Sequence, residues 1–470
     1  MTDFSLPVVV LGLPLLGALF ILFIRGDDRV VSKNSRHVAL LIALCTFGLS
    51  FAALFARRIA PDSHVDWQVG IDALSMIFVL LISFLTVLSV AVVRRHVPFC
   101  VREFCCLALI AESFMLTAVC AQNAFRFFVF WESAAFPLFL MTAVWGVEKR
   151  VYTAYKFCFS DLAGAVCLLP VLLALAERAG AADFGALAAA RPENQAWLAA
   201  GMLGMLAFKA PLFPFHAWLS DTQAEAPVPT GILLCGVFSK LAFYAYIRLA
   251  LPAAETVLAQ WASYLTAWAV FSAFYGALIT LKQTEAKKMA GFAHLAQVGF
   301  LAAGVFAITP QTLRGVLFLC VAQGLAVSIY LMAAGALTVR FKNAGVRNPT
   351  GIMTSLPYLG TAFFLSCLAV LAVPPLMPFT GQFLIFIDIF RQSAAAAFFL
   401  LFSVVLLYAS FFKLFTRLLF GEPSAASFPL PDMSWREKVA TVFCGAVFAA
   451  LSVMPQGLFD LAGMAVGKGG

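Results

Sequence analysis

The chain has 470 residues, 63% of them hydrophobic and 11% charged, with a mean hydropathy of +0.97. Soluble domains carry roughly 25% charge, so this composition excludes a soluble globular protein and indicates an all-α polytopic membrane protein. The net charge of +8 does not point to nucleic acid, because the basic residues are spread over the loops between apolar runs.

Spanning the bilayer takes about 20 predominantly apolar residues. Segments of that kind lie near 4–24, 38–56, 73–95, 104–122, 125–147, 152–176, 197–219, 229–251, 258–281, 286–308, 312–339, 354–393 (interrupted), 395–419 and 437–457. They predict about fourteen transmembrane helices. The first, from Phe4 to Ile24, lacks a basic leader and is long enough to span, so it reads as a helix rather than a cleavable signal.

Charge sets the expected orientation. Nineteen basic residues fall in alternate loops: Arg25, Arg29, Lys33 and Arg36; Arg94, Arg95 and Arg102; Lys149, Arg150 and Lys156; Lys282, Lys287 and Lys288; Arg340, Lys342 and Arg347; and Arg417, Arg436 and Lys438. The opposite loops hold nine, namely Arg57, Arg58, Arg126, Arg178, Arg191, Arg248, Arg314, Arg391 and Lys468. The positive-inside rule then puts both termini on the outer side, in agreement with an even number of helices, which requires the termini to share a side.

The eleven cysteines show no C-x-x-C spacing and lie mostly inside apolar helices, with Cys105 and Cys106 adjacent. Metal or cluster ligation needs grouped thiolates, so these read as small buried apolar residues. The chain carries no glycine-rich phosphate loop and no nucleophile elbow. No cofactor is therefore expected here, and any redox or nucleotide chemistry is expected in other chains.

The charges inside the predicted spans are the functional candidates. A charge at bilayer depth costs at least about 2.5–3.5 kcal/mol on insertion scales, so it implies an internal partner or a transport task. Lys209 sits in MLAFKAPLFPFHAW, Glu132 in FFVFWESAAFPLF, Lys240 in LCGVFSKLAFYAY, and His216 seven residues after Lys209. A buried lysine loses proton affinity by desolvation and regains it beside a carboxylate, so a Lys–Glu pair can switch between holding and releasing a proton. Glu112 could extend the Glu132 site. Asp161 and Asp388 read as helix-packing or interfacial groups, and Lys413, one turn before Arg417, as a side chain that snorkels to the inner face.

Two segments are broken by proline: KAPLFPFHAW at 209–218 and VPPLMPFTGQF at 373–383. Pro211 and Pro214 remove backbone donors and free the carbonyls of Ala207 and Ala210. The breaks are five helices apart, which suggests two inverted five-helix repeats, helices 4–8 and 9–13, with an ion path between them. The expected divisions are 1–103, with helices 1–3; 104–251 and 252–420, the two repeats; and 421–470, with helix 14.

Four stretches together closely resemble the antiporter-like membrane subunits of respiratory complex I: FFVFWESAAFPLFLMTAVWG, FKAPLFPFHAWLSDTQAEAPVPTGILLCGVFSKLAFYAYIRLALP, LKQTEAKKMAGFAHLAQVGFLAAGVF and LAVPPLMPFTGQFLIF. GIDALSMIFVLLISFLTVLSV at 70–90 and VYTAYKFCFSDLAGAVCLL at 151–169 look most like the NuoM type, and so does a length that leaves no room after Leu461 for a lateral helix. The resemblance implies that Glu132 and Lys209 form the coupling pair, that Lys240 continues a water-linked path, and that His216 is among its polar neighbours. It implies a proton-translocating subunit of NADH:quinone oxidoreductase that partners other complex I membrane subunits and the lipid bilayer, in a bacterial inner (cytoplasmic) membrane rather than a mitochondrial one.

The second half departs from the family pattern. Gln297 and Gln323 stand where histidines are usual, and Gln382 stands where glutamate is usual. Glutamine can hold a water chain but cannot store a proton. His294 lies one turn before Gln297, rotated by about 60° from that face, and it could stand in for the lost histidine. Lys413 could replace the terminal station. Two alternatives remain open: a subunit of a multi-subunit Na⁺/H⁺ antiporter or membrane-bound hydrogenase, and a pump-inactive scaffold.

Overall fold

The computed structural model describes residues 6–59, 70–190, 195–343, 350–422 and 430–467, with only the backbone described for 56–59 and 342–343. Of the basic residues used for orientation, Arg191, Arg347 and Lys468 lie outside the described residues, as do the side chains of Arg57, Arg58 and Lys342.

In chain order the described residues form α1 (Leu6–Leu22), α2 (Asp28–Ile59), α3 (Ala73–His96), α4 (Val101–Cys120), α5 (Ala124–Trp145), α6 (Arg150–Ala179), the short α7 (Phe184–Ala189) and α8 (Gln195–Lys209). After the first proline break come α9 (Ala217–Glu225) and α10 (Val228–Gly236), then a 3₁₀ turn (Phe238–Lys240), α11 (Leu241–Ala245), a π turn (Tyr246–Ala250) and α12 (Leu251–Lys282). The remainder is α13 (Ala286–Phe306), α14 (Pro310–Asn343), α15 (Ile352–Ser355), α16 (Pro357–Val370), α17 (Met377–Gln392), α18 (Ala394–Leu414), α19 (Trp435–Val453) and α20 (Gln456–Gly467). The protein is a multi-pass, almost entirely helical membrane protein. Helix is the expected outcome in lipid, where every backbone N–H and C=O must find its partner within the segment.

Every apolar segment expected from the sequence contains helix, but the count depends on the breaks. Among the described residues nine helices are long and apolar enough to cross a membrane, or ten if the bent pair α19 and α20 counts as one span. α1, α8, α16 and α17 fall short at 17, 15, 14 and 16 residues, and the breaks themselves shorten the last three. Two expected helices run together as one 55-residue stretch, Val228–Lys282.

The chain forms two compact units. The first comprises the chain up to Pro211, then Glu225–Ala262 and the residues from Asp460 onward. At its centre α3 packs against α2, α4 and α10. Tyr244 of α11 anchors this core, donating to the Val119 carbonyl at 2.9 Å and meeting Phe78 and Phe127 with ring centroids 5.3 and 5.5 Å away. Asp72 caps α3 by accepting from the Ser75 N–H at 2.7 Å, and it also pairs with Arg248 of the π turn. Burial alone would raise the Asp72 carboxyl, but the Arg248 guanidinium and the Ser75 N–H hold it below its ordinary value.

The second unit comprises Leu212–Ala224 and Ser263–Phe459. Its centre is α14, packed against α13, α16 and α17. Gly299 of α13 has no room for a side chain: a Cβ there would lie 2.6 Å from the Ala273 nitrogen of α12. At the end of α14, the buried Arg340 donates to Glu437 at 2.9 Å and to the Pro431 and Asp432 carbonyls at 2.9 and 3.2 Å. Asp432 in turn accepts from the Tyr358 and Leu359 N–H groups at the start of α16. One arginine thus gathers the ends of α14, α16 and α19.

Candidate functional site

Lys209 is the last residue of α8, since Pro211 cannot continue the helix. Its side chain is fully buried in the first unit, between two carboxylates from neighbouring helices. Glu132 of α5 lies 2.7 Å from the ammonium, and Asp161 of α6 lies 2.6 Å away. The Trp131 ring covers the same nitrogen at 4.4 Å, close enough for a cation–π attraction. The lysine stem crosses α6 at Gly164, where a Cβ would fall 2.7 Å from Lys209 Cγ. Asp161 and Gly164 lie three residues apart on α6, so one face of that helix supplies both the counter-ion and the groove for the stem.

The Glu132–Lys209 proximity assumed from sequence is present. Asp161 is a correction: read as a packing or interfacial group, it is a direct partner of Lys209. Its position on a helix interior was the one available signal, and an intramembrane carboxylate is functional by default.

Lys240 lies in the same unit and is fully buried. α10 ends at Gly236, where Val237 leaves helical geometry with φ −125° and ψ −59°, and carbonyls of the last turn are freed. The Lys240 ammonium donates to one of them, Cys235 O, at 2.6 Å. A helix C-terminus carries partial negative charge, so this end receives a cation well. The Lys240 turn is also tied to the Lys209 surroundings, because Phe238 packs against Trp131 and Phe157 with ring centroids 6.5 and 5.7 Å away. Glu112, on α4, is completely buried, and neither carboxyl oxygen has a hydrogen-bond partner among the described residues.

His216, in the second unit, follows the same proline break. It stacks on Phe213 at 5.9 Å and meets the edge of Tyr275 at 5.2 Å. The break there is satisfied by α12: Ser272 accepts from the Phe213 N–H at 3.1 Å, and Trp268 donates to the Phe213 carbonyl at 2.7 Å.

The second break, between α16 and α17, is satisfied in part by one of the replacement amides. Gln297 of α13 donates to the Val370 carbonyl at 2.5 Å, and Gln323 of α14 donates to the Gln297 backbone carbonyl at 3.3 Å. The side-chain carbonyl oxygens of both glutamines are buried without a hydrogen-bond partner among the described residues. Ser452 accepts from the Met377 N–H at 2.9 Å. Gln382 and His294 are buried, whereas Lys413 is exposed on α18. Asp388 accepts from Thr309 at 2.5 Å and faces Arg391 at 3.5 Å.

Residues 121–410 match the family described as NADH:quinone oxidoreductase/Mrp antiporter, TM. The chain belongs to that family. It is 28% identical over 427 residues to NADH-ubiquinone oxidoreductase chain 4 of Marchantia polymorpha, covering 87% of this chain and 85% of the relative. It is 26% identical over 486 residues to NADH-quinone oxidoreductase subunit M of Rhodobacter capsulatus, covering 97% and 95%. Among solved structures, a chain of respiratory complex I from Thermus thermophilus superposes with a TM-score of 0.85 at 26% identity, covering 99% of this chain and 100% of that one. The Mrp complex of a Dietzia species superposes at 0.81 with 19% identity, covering 98% and 97%, which shows the shared fold alone.

Proposed function

We propose that this protein is a proton-translocating membrane subunit of an NADH:quinone oxidoreductase, in which Glu132, Lys209 and Lys240 relay protons within the first unit. The observation that carries this reading is the Lys209 ammonium, fully buried against Glu132 at the end of α8, where proline breaks an apolar segment. Burying an ammonium is costly unless it is paired, and charge in such a place marks an ion path by default. The relatives called subunit M and chain 4 support the assembly named here. In this reading the chain holds no cofactor, its partners are neighbouring membrane subunits, and residues 104–251 and 252–420 are inverted repeats. Both termini lie on the outer side of a bacterial inner membrane.

The test is NADH-driven proton uptake by the assembled complex in vesicles. Lys209→Ala and Glu132→Ala are each expected to reduce uptake strongly at normal assembly, and wild-type uptake in both would sink the coupling-pair assignment. A second reading, a multi-subunit antiporter, is favoured by the family description, which names the Mrp antiporter beside NADH:quinone oxidoreductase. Mass spectrometry of the subunits that purify with this chain separates the two. A third, the sealing scaffold, rests on Gln297, Gln323 and Gln382 and predicts no uptake that depends on Lys209.

A further inference from the structure

Lys209 faces two carboxylates, and they are not equivalent. Asp161 is 5% exposed and accepts a hydrogen bond from the ammonium. Gly164, one turn along the same helix, accommodates the lysine stem. Glu132 reaches the ammonium from α5 and is 19% exposed. With every group ionised the cluster carries one excess negative charge, which a low-dielectric interior disfavours and one added proton removes.

The other ionisable groups on elements packed against α5 and α8 do not supply that balance. On α4, against α5, Glu112 is a further carboxyl, buried without a hydrogen-bond partner among the described residues. In the turn after α10, the Lys240 ammonium donates to the Cys235 carbonyl. On α6, Lys156 lies over the Tyr152 ring at 5.9 Å. The Cys167 sulfur lies against Gly204, and Cys158 is one turn before Asp161 on the same helix. Tyr244 of α11 is engaged by the Val119 carbonyl, and in the π turn Arg248 is engaged by Asp72, while Tyr246 is a buried phenol. Among the described residues the polar partners of the ammonium are Glu132 and Asp161.

We infer that Asp161 is the resident counter-ion of Lys209, so that Lys209 stays charged and Glu132 is the group of this cluster that takes up and gives back the proton. This rests on the relay reading above and revises one part of it. Lys209 serves the relay as a fixed charge beside Glu132 rather than by giving up its own proton, and the proton binds a Glu132 carboxylate oxygen and leaves from it. Asp161 acts through Lys209 and is a positioning residue.

The test is pH-difference infrared spectroscopy of the purified complex, with proton uptake measured in parallel. A carboxylic-acid C=O band that disappears in Glu132→Gln is expected in the wild type. In Asp161→Asn, the single carboxylate left beside Lys209 should stay ionised, so the pH at which half the band forms is expected to fall by about one to three units. Asp161→Glu should restore the wild-type midpoint. Asp161→Ser is read in the same way, and whichever neutral variant assembles decides the matter. Lys209→Gln, which keeps both carboxylates, should move the midpoint upward. The inference is overturned by an unmoved midpoint in an assembled neutral variant, or by a wild type without a Glu132-dependent band. Failure of the relay reading looks different: Glu132→Gln would then pump like the wild type whatever the band does.

Discussion

At the scale of single residues, the ammonium of Lys209 decides what its neighbours can be. Two carboxylates, an indole face and a glycine converge on it. Removing one partner of a buried ion pair costs about 3–5 kcal/mol, because a charge is left without compensation. Gly164 tests the geometry without touching any charge. Gly164→Val puts a branched side chain where Lys209 Cγ lies, and the displaced ammonium is expected to lower proton uptake by about tenfold or more. Wild-type uptake by assembled Gly164→Val would show that the stem has room to move. In the sequence Glu132 and Lys209 are each legible as a lone charge in an apolar run, and their pairing is what the family resemblance implies. Asp161 was not legible as their third member, because a single carboxylate on a helix also fits a packing role.

At the scale of elements, the proline breaks show how other helices supply partners for backbone groups that an interrupted helix leaves open. The first break gives its Phe213 N–H and C=O to Ser272 and Trp268. The second gives its Val370 carbonyl to Gln297 and its Met377 N–H to Ser452. These partners come from other helices, so prolines in the sequence could reveal the breaks but not what satisfies them. Arg340 plays a comparable part at the ends of α14, α16 and α19. Arg340→Ala would leave Glu437 and the Pro431 and Asp432 carbonyls without their donor. It is expected to lower the thermal unfolding midpoint of the detergent-solubilised complex, with uptake per assembled complex unchanged. An unshifted midpoint would deny the arginine its structural part.

At the scale of the whole molecule, the two broken helices carry unlike chemistry. The first ends on a lysine paired with carboxylates, whereas the second is served by an amide and carries Gln382. Gln297 shows what such a replacement retains: an amide still donates to a freed carbonyl, although it cannot store a proton. Gln382→Glu is expected to raise proton uptake per NADH oxidised, by returning a titratable group to the second break. Unchanged uptake would favour the sealing scaffold over a weakened output path.

The sequence by itself determined that the chain crosses a membrane as helices, where two of those helices break, and which charges lie at depth. Apolar run length, the missing N–H of proline and the cost of a buried charge are local properties, set by composition within a single segment. Only the tertiary structure decided that Asp161 joins Glu132 on Lys209 and that Gln297 serves the second break. Those pairings depend on how separate helices pack, and the distance along the chain between the partners carries no trace of them.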